Sequence, residues 1–304
     1  MKLLPTDIVN LSLASIDSIE LPLLHNKQVN IDVLRLDKID PIVSGNKWFK
    51  LKYYLQDALE SGCSTLLTFG GAWSNHIVAA ACATKRAGIQ SIGIIRGEEP
   101  LHLSPTLQTA LSHGMQLQFV SRKEYAGIKK DPSSLLQQFP GAFLVPEGGE
   151  GERGTRGASD ILKIIDPGKY THIICAMGTG TMLLGLALGA TQQQVIGILV
   201  LKGFEKWKEN KDLSGFQPPS KKMRIIDGYH FGGYSKKNNE LIQFMNWFYI
   251  QTGIPSDFVY TGKLFYALMD LVGLDFFPPG SSIIAIHSGG LQGNESLPPQ
   301  SLQF

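Results

Sequence analysis

The chain has 304 residues, 43% of them hydrophobic and 18% charged, with 28 lysines and arginines against 26 aspartates and glutamates and a net charge of +2. This composition excludes a disordered chain and suits two domains, or one domain with an insertion, around a large core. The near-neutral balance, with no arginine-rich face and no aromatic–basic interleaving, points to no nucleic-acid partner.

The N-terminal stretch MKLLPTDIVNLSLASIDSIELPLL is broken by Pro5, Asp7, Asp17 and Glu20, too often for a signal peptide. No stretch reaches the roughly 18 apolar residues of a membrane span. IDVLRLD (31–37) reads as a strand, SGNK as a turn, and WFKLKYYLQDALESG as a helix stopping at Gly62. The apolar run TLLTF (65–69) is broken by Gly70 and Gly71, and Ser74 or Asn75 caps a helix, IVAAACATKRAG, that stops at Gly88. Strands follow at 91–95, 116–120 and 141–145, with a helical stretch near 104–113. A further strand, THIICAM (171–177), turns at GTGT into the helix LLGLALGA and the strand IGILV (196–200). Residues 203–224, Lys-rich and carrying Pro218 and Pro219, read as a surface excursion. Amphipathic helices follow at 238–252 and 262–272, and a buried strand, SIIAI (282–286), ends at HSGG.

Short apolar runs alternating with helices predict an α/β fold, with two parallel or mostly parallel open sheets covered by helices on both faces. Glycine-rich turns after the strands are where such folds bind ligands. Cys63, Cys82 and Cys175 are odd in number, far apart and in apolar surroundings, so they read as reduced, buried thiols of a cytoplasmic protein rather than a metal or disulfide framework.

In AMGTGT (176–181), glycines permit close backbone approach to an anion, a helix start supplies unpaired N–H groups, and Thr179 and Thr181 add hydroxyls. A phosphate fits there, although an unliganded glycine turn has the same look. The segment lacks the Lys-Ser/Thr of a Walker A loop. It also has Leu183 where a dinucleotide fingerprint requires glycine, which disfavours a nicotinamide dehydrogenase. GGAWSNH (70–76) is a second polar helix entrance, suited to a carboxylate; capping alone accounts for Ser74 or Asn75, and His76 serves equally as a structural histidine.

Lys47 sits between the Ser44-Gly45-Asn46 turn and the aromatic pair Trp48 and Phe49. An amine in apolar surroundings loses its proton more readily and can then form an imine with an aldehyde. Lys50 and Lys52 are alternatives that read as the exposed side of the helix. Tyr234 and Tyr260 are candidates for proton transfer, each equally at home as a packing residue. Thr261 and Ser288 offer hydroxyls to a ring nitrogen. Asp227, His230 and His287 form no metal or nucleophile triad by spacing.

RLD followed by SGNKWFKL, then GGAWSNH, PEGG, AMGTGT, GGYS, VYTGK and IHSGG, run in order from about Val33 to Gly290. In this the chain resembles the pyridoxal-phosphate-dependent D-cysteine desulfhydrase and 1-aminocyclopropane-1-carboxylate (ACC) deaminase family, of fold type II (tryptophan-synthase β-like). The resemblance implies pyridoxal 5'-phosphate (PLP) as cofactor and Lys47 as its Schiff-base lysine. Asn75 would contact the phenolic oxygen, and residues Met177, Gly178, Thr179, Gly180, Thr181 and Met182 would cradle the phosphate. Tyr234 and Tyr260 would be active-site tyrosines. Thr261 would meet the pyridine nitrogen. Ser74 would face the substrate carboxylate, with Trp73 and His76 beside it.

A smaller inserted domain, 50–160, would pack against a larger one formed by 1–49 and 161–304, in a homodimer. The chain departs from the family at Trp73, where Gln is frequent, and at Phe49, where a basic residue is usual. It also departs at Thr181 and Met182 in a loop that more often reads GTGGT, and at Glu150 after PEGG. ACC deaminases typically carry Glu where this chain has Thr261. A neutral hydroxyl suits β-elimination, so the resemblance implies first a D-cysteine desulfhydrase giving pyruvate, ammonia and sulfide. ACC deaminase, another PLP racemase or ammonia-lyase, and a non-enzymatic binding or regulatory protein are the alternatives.

Overall fold

The computed structural model describes residues 8–202 and 223–304. Its larger sheet is built from β1 (Ser15–Ile19), β2 (Asn30–Arg35), β7 (His172–Met177), β8 (Gln194–Leu199), β9 (Met223–Ile226) and β10 (Ser282–His287). Their order is β1-β2-β10-β7-β8-β9, parallel except where β1 runs against β2. The smaller sheet, with order β5-β4-β3-β6, is parallel throughout. It comprises β3 (Thr65–Gly70), β4 (Gln90–Arg96), β5 (Met115–Val120) and β6 (Phe143–Val145).

The central parallel strands are apolar on both faces because helices cover both, whereas the edge strands β5 and β9 carry the exposed Gln116 and Arg224. All six residues of β7 are buried, and β10 pairs it in the register Ile284↔Ile173 and Ala285↔Ile174. Each such Ile or Leu side chain stabilises the fold by roughly 1.5–3 kcal/mol. One face of the large sheet packs on α9 (Asn239–Thr252) and α10 (Thr261–Gly273), where Phe248 stacks on Phe265 at 4.7 Å. A core continuous between the two sheets gathers Leu34, Ile284, Leu66 and Ile77 with α2 (Asn46–Glu60), α3 (Asn75–Ala87) and α8 (Thr181–Gly189).

The sequence reading omits the short helices Pro22–Lys27, Arg122–Lys130 and Ser133–Gln138, and three further pieces differ from it. β1 is a short edge strand, SIDSI, with polar residues between its isoleucines, in a stretch that carries no strong apolar run. Of the expected excursion, residues 203–222 lie outside the described residues, while its end is not a loop: Met223–Ile226 pair with β8. The third piece is α7 (Glu152–Ser159), ERGTRGAS, whose composition argues against a helix. It forms because its glycines let it nest between α2 and α8. A Cβ on Gly157 would lie 1.7 Å from the Phe49 carbonyl, and one on Gly185 of α8 would lie 2.4 Å from the Ala158 Cβ. Cys82 and Cys175 are buried free thiols, but Cys63 is only half-buried. Among the described residues no helix is long and apolar enough to cross a membrane.

Candidate active site

A cavity of about 410 Å³ opens where the strand ends of both sheets face each other. Each wall is a turn whose local sequence sets it in place. Gly45 adopts φ +64°, and a Cβ there would sit 1.9 Å from the Ser288 carbonyl; the turn before Lys47 is therefore seated directly on the end of β10. Ser74 caps α3, its hydroxyl accepting from the Ile77 N–H at 3.4 Å. Gly180, at φ +87°, opens α8 after β7.

Lys47 and the glycine turn share this cavity. The Lys47 ammonium lies 5.8 Å from the centre of the Tyr260 ring, and the same ring's edge is 3.2 Å from where a Gly178 Cβ would stand. Burial lowers the Lys47 pKa to about 8, and the nearby Asp257 carboxylate only partly offsets it. At pH 7 about one molecule in ten then carries the neutral amine, against about one in three thousand for an ordinary lysine.

Ser74, Asn75, His76 and Trp73 all line the cavity, Trp73 at its rim with 39% of its surface exposed. The Asn75 Oδ1 is buried without a hydrogen-bond partner, so a polar donor is called for there. The Thr68 hydroxyl donates to the Val145 carbonyl at 2.9 Å, so His76 Nε2–H donates to Thr68 at 2.8 Å and Nδ1 keeps a free lone pair. Burial, aided by Lys47 and Lys50, drives the His76 pKa down to about 3, so the ring is neutral.

Tyr234 and Tyr260 meet edge to face at 6.4 Å on the opposite wall. Burial holds the Tyr260 phenol well above its ordinary pKa, which keeps it a donor. Met177, Gly178, Thr179, Gly180 and Met182 line the cavity. The Met182 sulfur, standing where a hydroxyl is usual, accepts from the Asn46 amide at 3.3 Å.

Two expected residues stay behind the wall. Thr181 is buried, its hydroxyl 3.0 Å from that of Thr179. Thr261 does not reach the cavity either. Its hydroxyl donates to the Asp257 carboxylate at 2.7 Å and accepts from the Asp257 N–H at 2.7 Å, while Ser288 takes a place on the wall.

Lys50 corrects the sequence reading most clearly. It is 5% exposed and lines the cavity, because the i, i+3 spacing from Lys47 puts both amines on one helix face. That spacing was the signal that could have found it. Lys52 does point away, to Asp160. Asp257 was also missed: fully buried, it accepts from the N–H groups of Val259, Tyr260 and Thr261 and so holds Tyr260 in place. Arg96 and Glu147 complete the rim.

PLP requires an amine for its aldehyde, a cradle for its phosphate and a donor for its phenolic oxygen. Lys47 and the glycine turn with Lys50 nearby match the first two needs in one cavity, and Asn75, which lines the same cavity, carries an amide N–H group that matches the third.

The pyridoxal-phosphate dependent enzyme family matches this chain over residues 19–289. A Pyrococcus abyssi protein named "Putative 1-aminocyclopropane-1-carboxylate deaminase" is 31% identical over 287 residues, covering 87% of this chain and 86% of that one. A D-cysteine desulfhydrase of Salmonella paratyphi A is 25% identical, covering 84% and 86%. A crystal structure described as that of an ACC deaminase homologue superposes with a TM-score of 0.77 at 26% identity, over 97% of both chains. With its two parallel-rich sheets, its amine and its glycine turn around one cavity, the chain belongs to the pyridoxal-phosphate dependent enzymes, in the fold-type-II group related to ACC deaminases and D-cysteine desulfhydrases.

Proposed function

We propose that this protein is a PLP-dependent lyase or deaminase acting on a small amino acid, with ACC as the leading substrate and D-cysteine as the second. The observation that carries this reading is the convergence of Lys47, the Ser74-capped end of α3 and Tyr260 on one cavity with the glycine turn. Bound PLP would supply the sink for the electron pair released at the substrate α-carbon. The protein's residues do the rest. Lys47 holds the cofactor and, once freed, moves a proton at substrate carbon. The α3 end, with unpaired N–H groups and the Ser74 hydroxyl, binds the substrate carboxylate. Tyr260, kept protonated, donates to the departing or reopening group, and Tyr234 orients it. Trp73 narrows the rim and excludes water.

ACC leads because the preference for D-cysteine rested on Thr261, whose hydroxyl is committed to Asp257. The relative named for ACC deaminase is also the more similar of the two compared, at 31% against 25% identity. D-cysteine stays as the second reading because the hydroxyl on the wall, Ser288, is neutral and suits loss of a good leaving group. The test is steady-state turnover of ACC, D-cysteine, L-cysteine and D-serine by PLP-loaded protein. The keto acids are identified directly: 2-oxobutyrate from ACC, pyruvate with sulfide from D-cysteine. Sulfide and pyruvate without turnover of ACC would reverse the order, and no keto acid from any of the four would remove both readings.

A further inference from the structure

Lys263, in the first turn of α10, has no exposed surface, and among the described residues its ammonium hydrogen-bonds to no carboxylate, Asp257 acting on it only through its field. Its ammonium instead donates to three backbone carbonyls: His230 at 2.9 Å, Gly233 at 2.8 Å and Val200 at 3.5 Å. The three belong to different parts of the site. Val200 follows β8, and its N–H donates to the carbonyl of Met177, where the glycine turn begins. His230 and Gly233 bracket the loop that delivers Tyr234. Lys263 itself stands three residues after Tyr260.

The loop is one the backbone does not adopt without help. Phe231 has φ +50°, Gly232 +97°, Gly233 +118° and Ser235 +54°. Non-glycine residues at positive φ persist only where the surroundings over-determine them. Carbonyl oxygens converging on a dry point repel one another unless a donor stands between them, and a charged one with three N–H groups meets all three.

We propose that Lys263 is a positioning residue, gathering these three carbonyls so that Tyr234 is held against Tyr260 at the cavity wall. The proposal rests on the reading of Tyr234 as an active-site residue. A residue that only filled space here would be replaced by methionine with little consequence. A positioning cation would not, and its loss would be felt through Tyr234.

The test compares PLP-loaded wild type with Lys263→Met, Tyr234→Phe and the double variant. Turnover of ACC and D-cysteine is measured in each, together with hydrogen exchange of the peptide spanning 229–236. Lys263→Met is expected to lower kcat about tenfold with KM changed less, and to add no more than about twofold in the Tyr234→Phe background. Exchange in the 229–236 peptide should quicken about tenfold, with the later turns of α10 unchanged.

An equal kcat loss in both backgrounds, or unchanged exchange in the loop, overturns the proposal. If Tyr234→Phe alone leaves kcat untouched, the active-site reading of Tyr234 fails, and the exchange measurement still decides the clamp. Should Lys263→Met not fold, Gly233→Ala displaces the same carbonyl through its positive φ. It is expected to lose kcat only where Tyr234 is present, and a loss independent of Tyr234 overturns the proposal.

Discussion

Replacing Asp257 with alanine tests how the catalytic wall is held. The carboxylate accepts from the N–H groups of Val259 at 3.0 Å, Tyr260 at 2.9 Å and Thr261 at 2.9 Å, and from the Thr261 hydroxyl at 2.7 Å. The carboxylate and Thr261 are fully buried, so water does not replace the acceptor freely. A buried donor left unpaired costs roughly 1–3 kcal/mol. Allowing for partial relaxation of the helix start, Asp257→Ala should destabilise the protein by about 4 kcal/mol, a factor of about a thousand in the folded-to-unfolded ratio.

With a urea slope of about 3 kcal/mol/M, the unfolding midpoint falls by a little more than about 1 M. Asp257→Asn keeps one acceptor oxygen and should lose roughly half as much. The assay is urea unfolding followed by far-ultraviolet circular dichroism and by tryptophan fluorescence. A midpoint shift for the alanine variant below about 0.3 M would refute the assignment of Asp257 as the anchor of Tyr260.

Lys47→Ala should abolish turnover and the cofactor absorbance near ~420 nm while leaving the circular dichroism spectrum intact; an unchanged band would dismiss this lysine. Because the neutral amine is the reactive form and its pKa is lowered to about 8, the rate of PLP uptake by cofactor-free protein should rise with pH up to about 8 and level off above it. Stopped-flow absorbance that keeps climbing toward an ordinary lysine's 10.5 would contradict the burial argument. Lys50→Met removes a buried charge beside the glycine turn and should weaken PLP binding by about tenfold, read by equilibrium dialysis; equal affinity would place the phosphate elsewhere. Gly157→Ala drives a methyl group into the Phe49 carbonyl and should cost about 3 kcal/mol in urea unfolding, whereas a neutral result would mean α7 does not nest against α2.

The order of strands β2 to β8, with helices α2, α3 and α8 between them, was legible because parallel strands are short apolar runs, and glycine or a polar cap punctuates them. The turn at 176–181 and the polar entrance at 70–76 were legible for the same reason: a glycine or a capping residue at a strand end has few other uses. Elements whose stability comes from partners were hidden. α7 reads as a poor helix until the carbonyls it nests against are known, and β9 reads as part of a polar excursion until β8 is there to pair with it.

Lys47, its apolar neighbours and the glycine turn were fixed in kind by the amino-acid sequence, since local residue type decides what can form an imine or cradle an anion. Which hydroxyls and charges reach the cavity was decided by tertiary structure alone. Thr261 turns to Asp257, Lys50 turns inward beside Lys47, and Lys263 is sealed among carbonyls from segments 30 and 63 residues away along the chain. The physical reason is that a polar side chain is directed by the partner available where it is buried, and that partner belongs to a distant part of the sequence.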